Sequence, residues 1–200
     1  HLSQHFDIYL ATFVDDPQDW PWVPEVEKFC VDSLFLGLNP TTSRVRSLSG
    51  LLTGKVLSLP YYHNAEMHNW IRARVAEHDI AHLLVFSAAM AQYVLDPALA
   101  FERRVIDFVD VDSDKWQQYA LQKRWPMSWI YRREGRLLLD FEREVARLFD
   151  AGLFVSSSEA SMFKRLAPES AHKISFYNNG VNTTYFSPDE ALVNPYSPGE

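Results

Sequence analysis

Asp110, Asp112 and Asp114 follow the strand-like run "VIDFV" (105–109), and Lys115 stands directly behind them. A burst of carboxylates at the end of an apolar segment suits three chemistries. The first is a metal site. The spacing opens like a calcium loop, but Lys115 stands where the loop needs glycine and Leu121 where it needs a bidentate glutamate. A two-aspartate site for a metal–nucleotide complex stays open, although no glycine-rich or basic phosphate cradle accompanies it. The second is helix capping by Asp112 or Ser113, for a helix starting near Asp114, with acids in the first turn favoured by the macrodipole. The third is a carboxylate placed to take a proton from, or to position, an attacking hydroxyl. In an extended strand Asp110 and Asp112 point the same way. Capping uses one of them, and Asp110 is the one expected to stay free.

The elements that must position these groups alternate. Strands are expected over 6–14, 32–38, 82–87, 103–111, 152–157 and 172–178. Helical periodicity places Met67, Trp70, Ile71 and Val75 on one stripe of 65–78. It places Ile130, Leu137, Leu138, Phe141, Val145 and Leu148 on one stripe of 126–150, with Pro126 early and Gly152 just past the end. Ser156, three residues before Glu159, opens a short helix that Pro168 stops. The alternation predicts an α/β fold: a Rossmann-like, doubly wound, mainly parallel sheet with helices on both faces. In such sheets ligands lie beyond the carboxyl ends of the strands. That edge collects Asp15, Asp16, Asn39, Ser87, Asp110 to Asp114, Ser156 to Ser158 and Asn178 to Gly180.

Bulk properties narrow the classes. A chain of 200 residues, 47% hydrophobic, supports one well-packed domain. A net charge of −7 without a basic block argues against nucleic acid as partner. Cys30 is the sole cysteine, so an internal disulfide is excluded and a reducing compartment is expected. No apolar run reaches the length of a bilayer span and no signal peptide is expected. The start at His1 suggests a processed or excised product. Residues 1–186 read as the domain and 187–200, rich in proline, as a linker.

Other residues carry two readings each. Trp20 and Trp22 in "DWPW" suit a sugar-stacking platform, or pack a loop onto the domain. His63 and His68, five apart, lie off a common helical face and read as surface histidines. Segment 40–55 is amphipathic, with Val45, Leu48, Leu51 and Leu52 on one side and Arg44, Arg46 and Lys55 nearby. It suits contact with an anionic membrane, or a core-facing helix with a solvated basic edge.

Several stretches together resemble a known family. "ATFVDDPQDW", "RSLSGLLTGKVLSLPYYHN", "VFSAAMAQYV", "DFVDVDSDKWQQYA", "YRREGRLLLDFEREVARLFD", "FVSSSEASMFKRLAPE" and "NNGVNTTYFSP" are similar, in the same order, to the amino-terminal half of a family-4-type bacterial glycosyltransferase. It is the sugar transferase associated with the exosortase (PEP-CTERM) exopolysaccharide system. The resemblance implies the GT-B architecture, two Rossmann-like domains facing a cleft, with this chain as the acceptor side. It implies transfer from a nucleotide sugar, UDP- or GDP-linked and held by a separate carboxy-terminal domain, to a glycan or lipid-linked acceptor. Transfer would proceed with retention, and without a metal or cofactor bound by this domain. Asp110 and Asp112 would be the catalytic carboxylates; Ser87, Asp114, Lys115, Ser156 and Glu159 would contact acceptor. Asn179, Gly180, Val181 and Asn182 would form the interdomain hinge, with Asn182 where the family usually has aspartate and Ser157 where it often has glutamate. A cytoplasmic location with peripheral contact to the inner membrane follows, as does an inactive isolated chain. A first strand before residue 6, central in the relatives' sheet, would be missing and leave strand edges unpaired. Two other classes stand beside this one: a receiver- or flavodoxin-like domain holding a cation without catalysis, and half of a nucleotide-sugar epimerase.

Overall fold

The structure is a computed structural model, and it describes residues 2–183. The segment expected to form the linker, 187–200, lies outside the described residues. Strand β1 (Tyr9–Val14) is followed by a 3-10 turn over Pro17–Trp22 and α1 (Val23–Glu27), then β2 (Asp32–Gly37). Three short helices come next, α2 (Pro40–Ser47), α3 (Ser49–Thr53) and α4 (Ser58–Tyr61), and then α5 (Ala65–His78). Strand β3 (His82–Phe86), a 3-10 helix (Ala88–Tyr93) and β4 (Arg103–Val109) lead to α6 (Asp112–Gln122) and α7 (Met127–Leu148). The chain closes with β5 (Ala151–Phe154), α8 (Ser157–Leu166) and β6 (Ile174–Phe176).

All strand pairs are parallel. Four strands form one sheet in the order β3-β4-β5-β6, flanked by helices, so the fold is α/β and Rossmann-like. The single sheet expected is, however, divided: β1 and β2 pair only with each other among the described residues. Both pieces share one core. Ala11, Phe13, Leu34 and Leu36 from the small sheet pack on a buried cluster containing Val85, Ile106, Phe108, Phe154 and Phe163. Helical cover is also incomplete. Leu83 and Val85 of β3 turn inward, while Leu84 and Phe86 are exposed on the opposite face. Alternation along a strand makes this all-or-none, because one bare face exposes every second residue.

The long helices follow their stripes. Met67 is fully buried on α5, and Leu138 and Val145 are buried on α7, whereas Leu148 ends up exposed. Pro126 takes the N-cap position of α7, ahead of its first turn. Gly152 does not terminate α7. It lies inside β5, where a Cβ would come within 2.8 Å of Ile174 and 3.0 Å of Phe108.

Segment 40–55 is not one amphipathic helix. It breaks into α2 and α3, and the Arg46 guanidinium donates to the carbonyls of Pro60 (2.7 Å) and Tyr61 (2.9 Å). Arg46 thus fastens α2 to α4, while Arg44, Val45 and Leu48 of the same segment are exposed, so its apolar side does not face the core. A buried glutamate fastens the same region from the other side. Glu134 of α7 accepts from the Leu57 amide at 2.7 Å and pairs with Arg133, whose Nη2 donates to the Gly50 carbonyl at 2.8 Å.

Helices α6 and α7 form an antiparallel hairpin. Ser113 meets Glu142 near its base, and Trp116 and Tyr119 meet Tyr131 farther out. The contact is close because residue 135 is glycine: a Cβ there would fall 2.9 Å from the Ser113 carbonyl. Since α6 leaves the tip of β4 and α7 returns to the start of β5, the first half of α7 lies beyond the strand tips. No helix among the described residues is long and apolar enough to cross a membrane.

Candidate functional site

The carboxyl edge is irregular at β4. The ladder with β5 slips between Asp107 and Val109, and Val109 has φ 70°. A β-branched residue in the left-handed region is strained and must be held by its surroundings. Asp107 does the holding. Its carboxylate, in a residue only 7% exposed, accepts from the Val109 amide (2.9 Å) and from the Tyr177 hydroxyl (3.1 Å). The second bond pushes the Tyr177 phenol above its ordinary pKa, because the nearby carboxylate disfavours a phenolate.

The turn at Val109 decides where the aspartates go. Asp110 and Asp112 do not share a strand face, since β4 has already ended at Val109. They converge instead on Lys115, whose ammonium donates to Asp110 Oδ2 at 2.7 Å and to Asp112 Oδ1 at 3.2 Å. Burial alone would lower the Lys115 pKa; the hydrogen bonds and charges of the two aspartates outweigh it and hold it above its ordinary value. The expectation of a free Asp110 is therefore corrected: its carboxylate is ion-paired, with a third of the side chain open to solvent. Lys115 also takes the place between the carboxylates that a cation would occupy. Among the described residues no group of three or more His, Cys, Asp or Glu side chains is arranged to hold a metal ion.

Capping is done by other residues than expected. Neither Asp112 nor Ser113 precedes α6; the N-cap position is Val111, which has no capping side chain. Two glutamates reach in from neighbouring helices. Glu142 accepts from the Ser113 amide (3.2 Å) and hydroxyl (2.6 Å), and Glu159 accepts from the Val111 amide (2.7 Å). Glu142 is almost fully buried, and burial raises its pKa to about 8 despite the bonds from Ser113, with the Asp112 charge adding to the rise. Glu159 is thereby engaged in holding the turn after β4. Ser156 caps α8 as expected, accepting from the Glu159 amide at 3.2 Å, and its hydroxyl also meets that of Ser158 at 2.8 Å. Asp114 accepts from Gln118 one turn on, at 2.6 Å. Ser87 precedes the 3-10 helix over Ala88–Tyr93 without a capping bond from its side chain. Asn179 to Asn182 are exposed coil after β6, at the same edge.

A second feature of this edge lies at the tips of β1 and β2. An open cleft of about 470 Å³ is lined by Asp15, Pro17, Trp20, Gly37, Asn39 and Pro40, among others. The Trp20 ring lies against Gly37, where a Cβ would stand 3.6 Å from Cζ2. Asn39 caps α2 through its carbonyl oxygen, which accepts from the amides of Thr41 and Thr42 and leaves the side-chain NH2 as a donor. Asp16 caps the 3-10 turn through the Gln18 amide, while Asp15 accepts no hydrogen bond among the described residues.

Tyr62 links the two features. Its phenol is pushed above the ordinary value by burial first, then by Tyr61, and then by the charges of both Asp15 and Asp112. One carboxylate of the cleft and one of the clamp thus contribute to the same rise. A charged cleft elsewhere, of about 290 Å³ between Asp140, Arg143, Glu144, Arg147 and Glu169, is a solvated surface around the Arg143–Glu169 ion pair.

Asp107, Tyr62, Glu134, Glu142 and Tyr177 went unnoticed in the sequence. Asp107 left a signal as a charge inside an apolar strand. Glu134 and Glu142 left another, since they fall in register with Leu138 and Val145 on the apolar stripe of α7. Tyr62 and Tyr177 left none. No family model matches the chain, and the search of curated proteins gives no match.

Proposed function

We propose that this chain is the acceptor side of a sugar-transferring enzyme, receiving a glycan or lipid-linked glycan and working with a nucleotide-sugar donor held by a further domain. The observation that carries this reading is the presence, beyond the carboxyl ends of the strands of the two sheets, of a cleft lined by Trp20 and of a lysine–carboxylate clamp, with Tyr62 sensing the charges of Asp15 and Asp112. Sugar rings present an apolar face and a rim of hydroxyls. Trp20 supplies a surface for the first; Asp15 accepts from hydroxyls and the Asn39 amide donates to them. The Asp110–Lys115–Asp112 clamp adds fixed charges of both signs at the tip of β4. Its role is to orient an acceptor hydroxyl, which holds the reacting atoms together and lowers the entropic part of the barrier. A proton passing from that hydroxyl to the donor phosphate accords with the retaining chemistry of the family the sequence resembles, and it leaves Asp110 as a positioning residue.

Transfer to an oligosaccharide acceptor, measured in the enzyme containing the donor domain, tests this. Trp20→Ala is expected to raise the acceptor KM about fivefold, roughly 1 kcal/mol of lost stacking, with kcat little changed. Asp110→Asn is expected to lower kcat. Equal transfer by both variants and the parent would refute the assignment.

A further inference from the structure

The outer end of the α6–α7 hairpin exposes a cluster of large apolar side chains. Leu121 is 85% exposed, Trp125 81% and Trp129 58%, and Tyr119 and Met127 are exposed beside them. The same stretch is basic. Between Asp114 and Glu134 there is no acidic residue, while Lys115, Lys123, Arg124, Arg132 and Arg133 fall there, in a chain whose net charge is −7. Lys115 and Arg133 are used internally. Lys123, Arg124 and Arg132 are exposed and make no ion pair among the described residues.

The hairpin geometry sets this end apart. Counting from Ser113 at the base to Lys123, α6 rises about 15 Å, so residues 121–129 stand well beyond the tip of β4. Exposed rings beside lysine and arginine unpaired among the described residues, in an otherwise acidic chain, complement a negatively charged apolar surface. This combination suits a bilayer surface. Tryptophan and tyrosine rings settle among lipid headgroups, and lysine and arginine reach anionic phosphates while their alkyl stems stay in the apolar layer. The acidic remainder of the chain would be repelled by the same surface, which orients the molecule tip-first.

We propose that the hairpin tip, built from Leu121, Trp125 and Trp129 with Lys123 and Arg124, is a docking site for an anionic lipid bilayer. The site stands whether or not the chain handles sugars. It is separate from segment 40–55, where Arg46 is bonded to α4 while Val45 and Leu48 are exposed.

The test is co-sedimentation of the chain with vesicles of pure phosphatidylcholine, and of phosphatidylcholine with one third phosphatidylglycerol. The parent chain is expected to partition onto the anionic vesicles and only weakly onto the neutral ones, and to be released by high salt. W125S/W129S is expected to lower partitioning at least tenfold. K123E/R124E, confined to exposed charges, is expected to abolish the anionic preference, with both circular dichroism spectra unchanged. Failure of the parent to sediment, or equal sedimentation of the parent and either variant, overturns the proposal. Self-association removed by W125S/W129S in a parent that binds no vesicle would assign the tip to a second copy, and overturns it equally.

Discussion

Arg133→Met is expected to destabilise the protein by about 3–5 kcal/mol, the cost of leaving a buried carboxylate without its partner. Glu134 is 1% exposed, and its oxygens are used by Arg133 and the Leu57 amide. Arg133 in turn donates to the carbonyls of Gly50 and Lys55. Removing the guanidinium therefore strands a charge and frees α3 and the turn into α4 together. The paired substitution R133M/E134Q removes both charges and should recover a large part of the loss, because the penalty is the unpaired charge more than the missing contact. Urea unfolding of the single and double variants measures this. A single variant within 1 kcal/mol of the parent (roughly the cost of an ordinary surface change) would show that the pair does not clamp this segment.

Glu142 carries the second large effect, and it depends on pH. Its carboxyl has an ordinary value of 4.5 and is raised to about 8 in the folded chain, chiefly by burial. A folded-state pKa above the unfolded one means that the native state holds the proton more tightly. The associated stability is complete below about pH 4.5 and is lost as pH rises toward and through 8. The loss is on the order of 3–5 kcal/mol across that window. Glu142→Gln keeps an acceptor for the Ser113 amide and a donor for its hydroxyl, without the ionisation. Its stability should vary less between pH 5 and 9, and at pH 9 it should exceed that of the parent. Denaturant midpoints for the two proteins across this range decide it. Parallel profiles would show that Glu142 is ionised at no cost.

Much of the architecture was legible because it rests on periodicity. The six strands lie where alternation and apolar runs put them, to within three residues at either end and with β5 starting one residue early, and α5 spans the expected Ala65–His78. The edges of β1 and β3 that stay unpaired among the described residues are what the resemblance implied for strands beside a missing first one; the pattern alone did not show them, because a strand's pattern reports its faces and not which edge finds a partner. The site was half legible. The aspartates at the end of β4 were visible as a cluster, but their geometry was not. That geometry depends on Val109 taking a conformation that valine rarely adopts, and on Asp107 holding it there while Tyr177, far along the sequence, bonds the Asp107 carboxylate. Capping misled for a related reason. Local spacing suggested Asp112 or Ser113, whereas α6 is capped by Glu142 and Glu159, distant in sequence and close only once α7 and α8 have packed. The tryptophan of "DWPW" that lines the cleft, Trp20, is the less exposed of the two, since Gly37 lets its ring settle against the tip of β2.

These features give the carboxyl edge two surfaces of different kind: an aromatic cleft and charged clamp at the strand tips, and an apolar, basic hairpin end beyond them. If both proposals hold, the enzyme works on a membrane-anchored acceptor, and the hairpin would set the height of the cleft above the lipid. The most direct measurement of the central claim is amide chemical-shift mapping of the chain during titration with a neutral oligosaccharide. The account predicts shifts concentrated at Asp15, Trp20, Gly37 and Asn39, and at Asp110 to Lys115, with α8 and β6 undisturbed. Shifts absent from both groups, or confined to the α7 surface around Arg143 and Glu169, would contradict it.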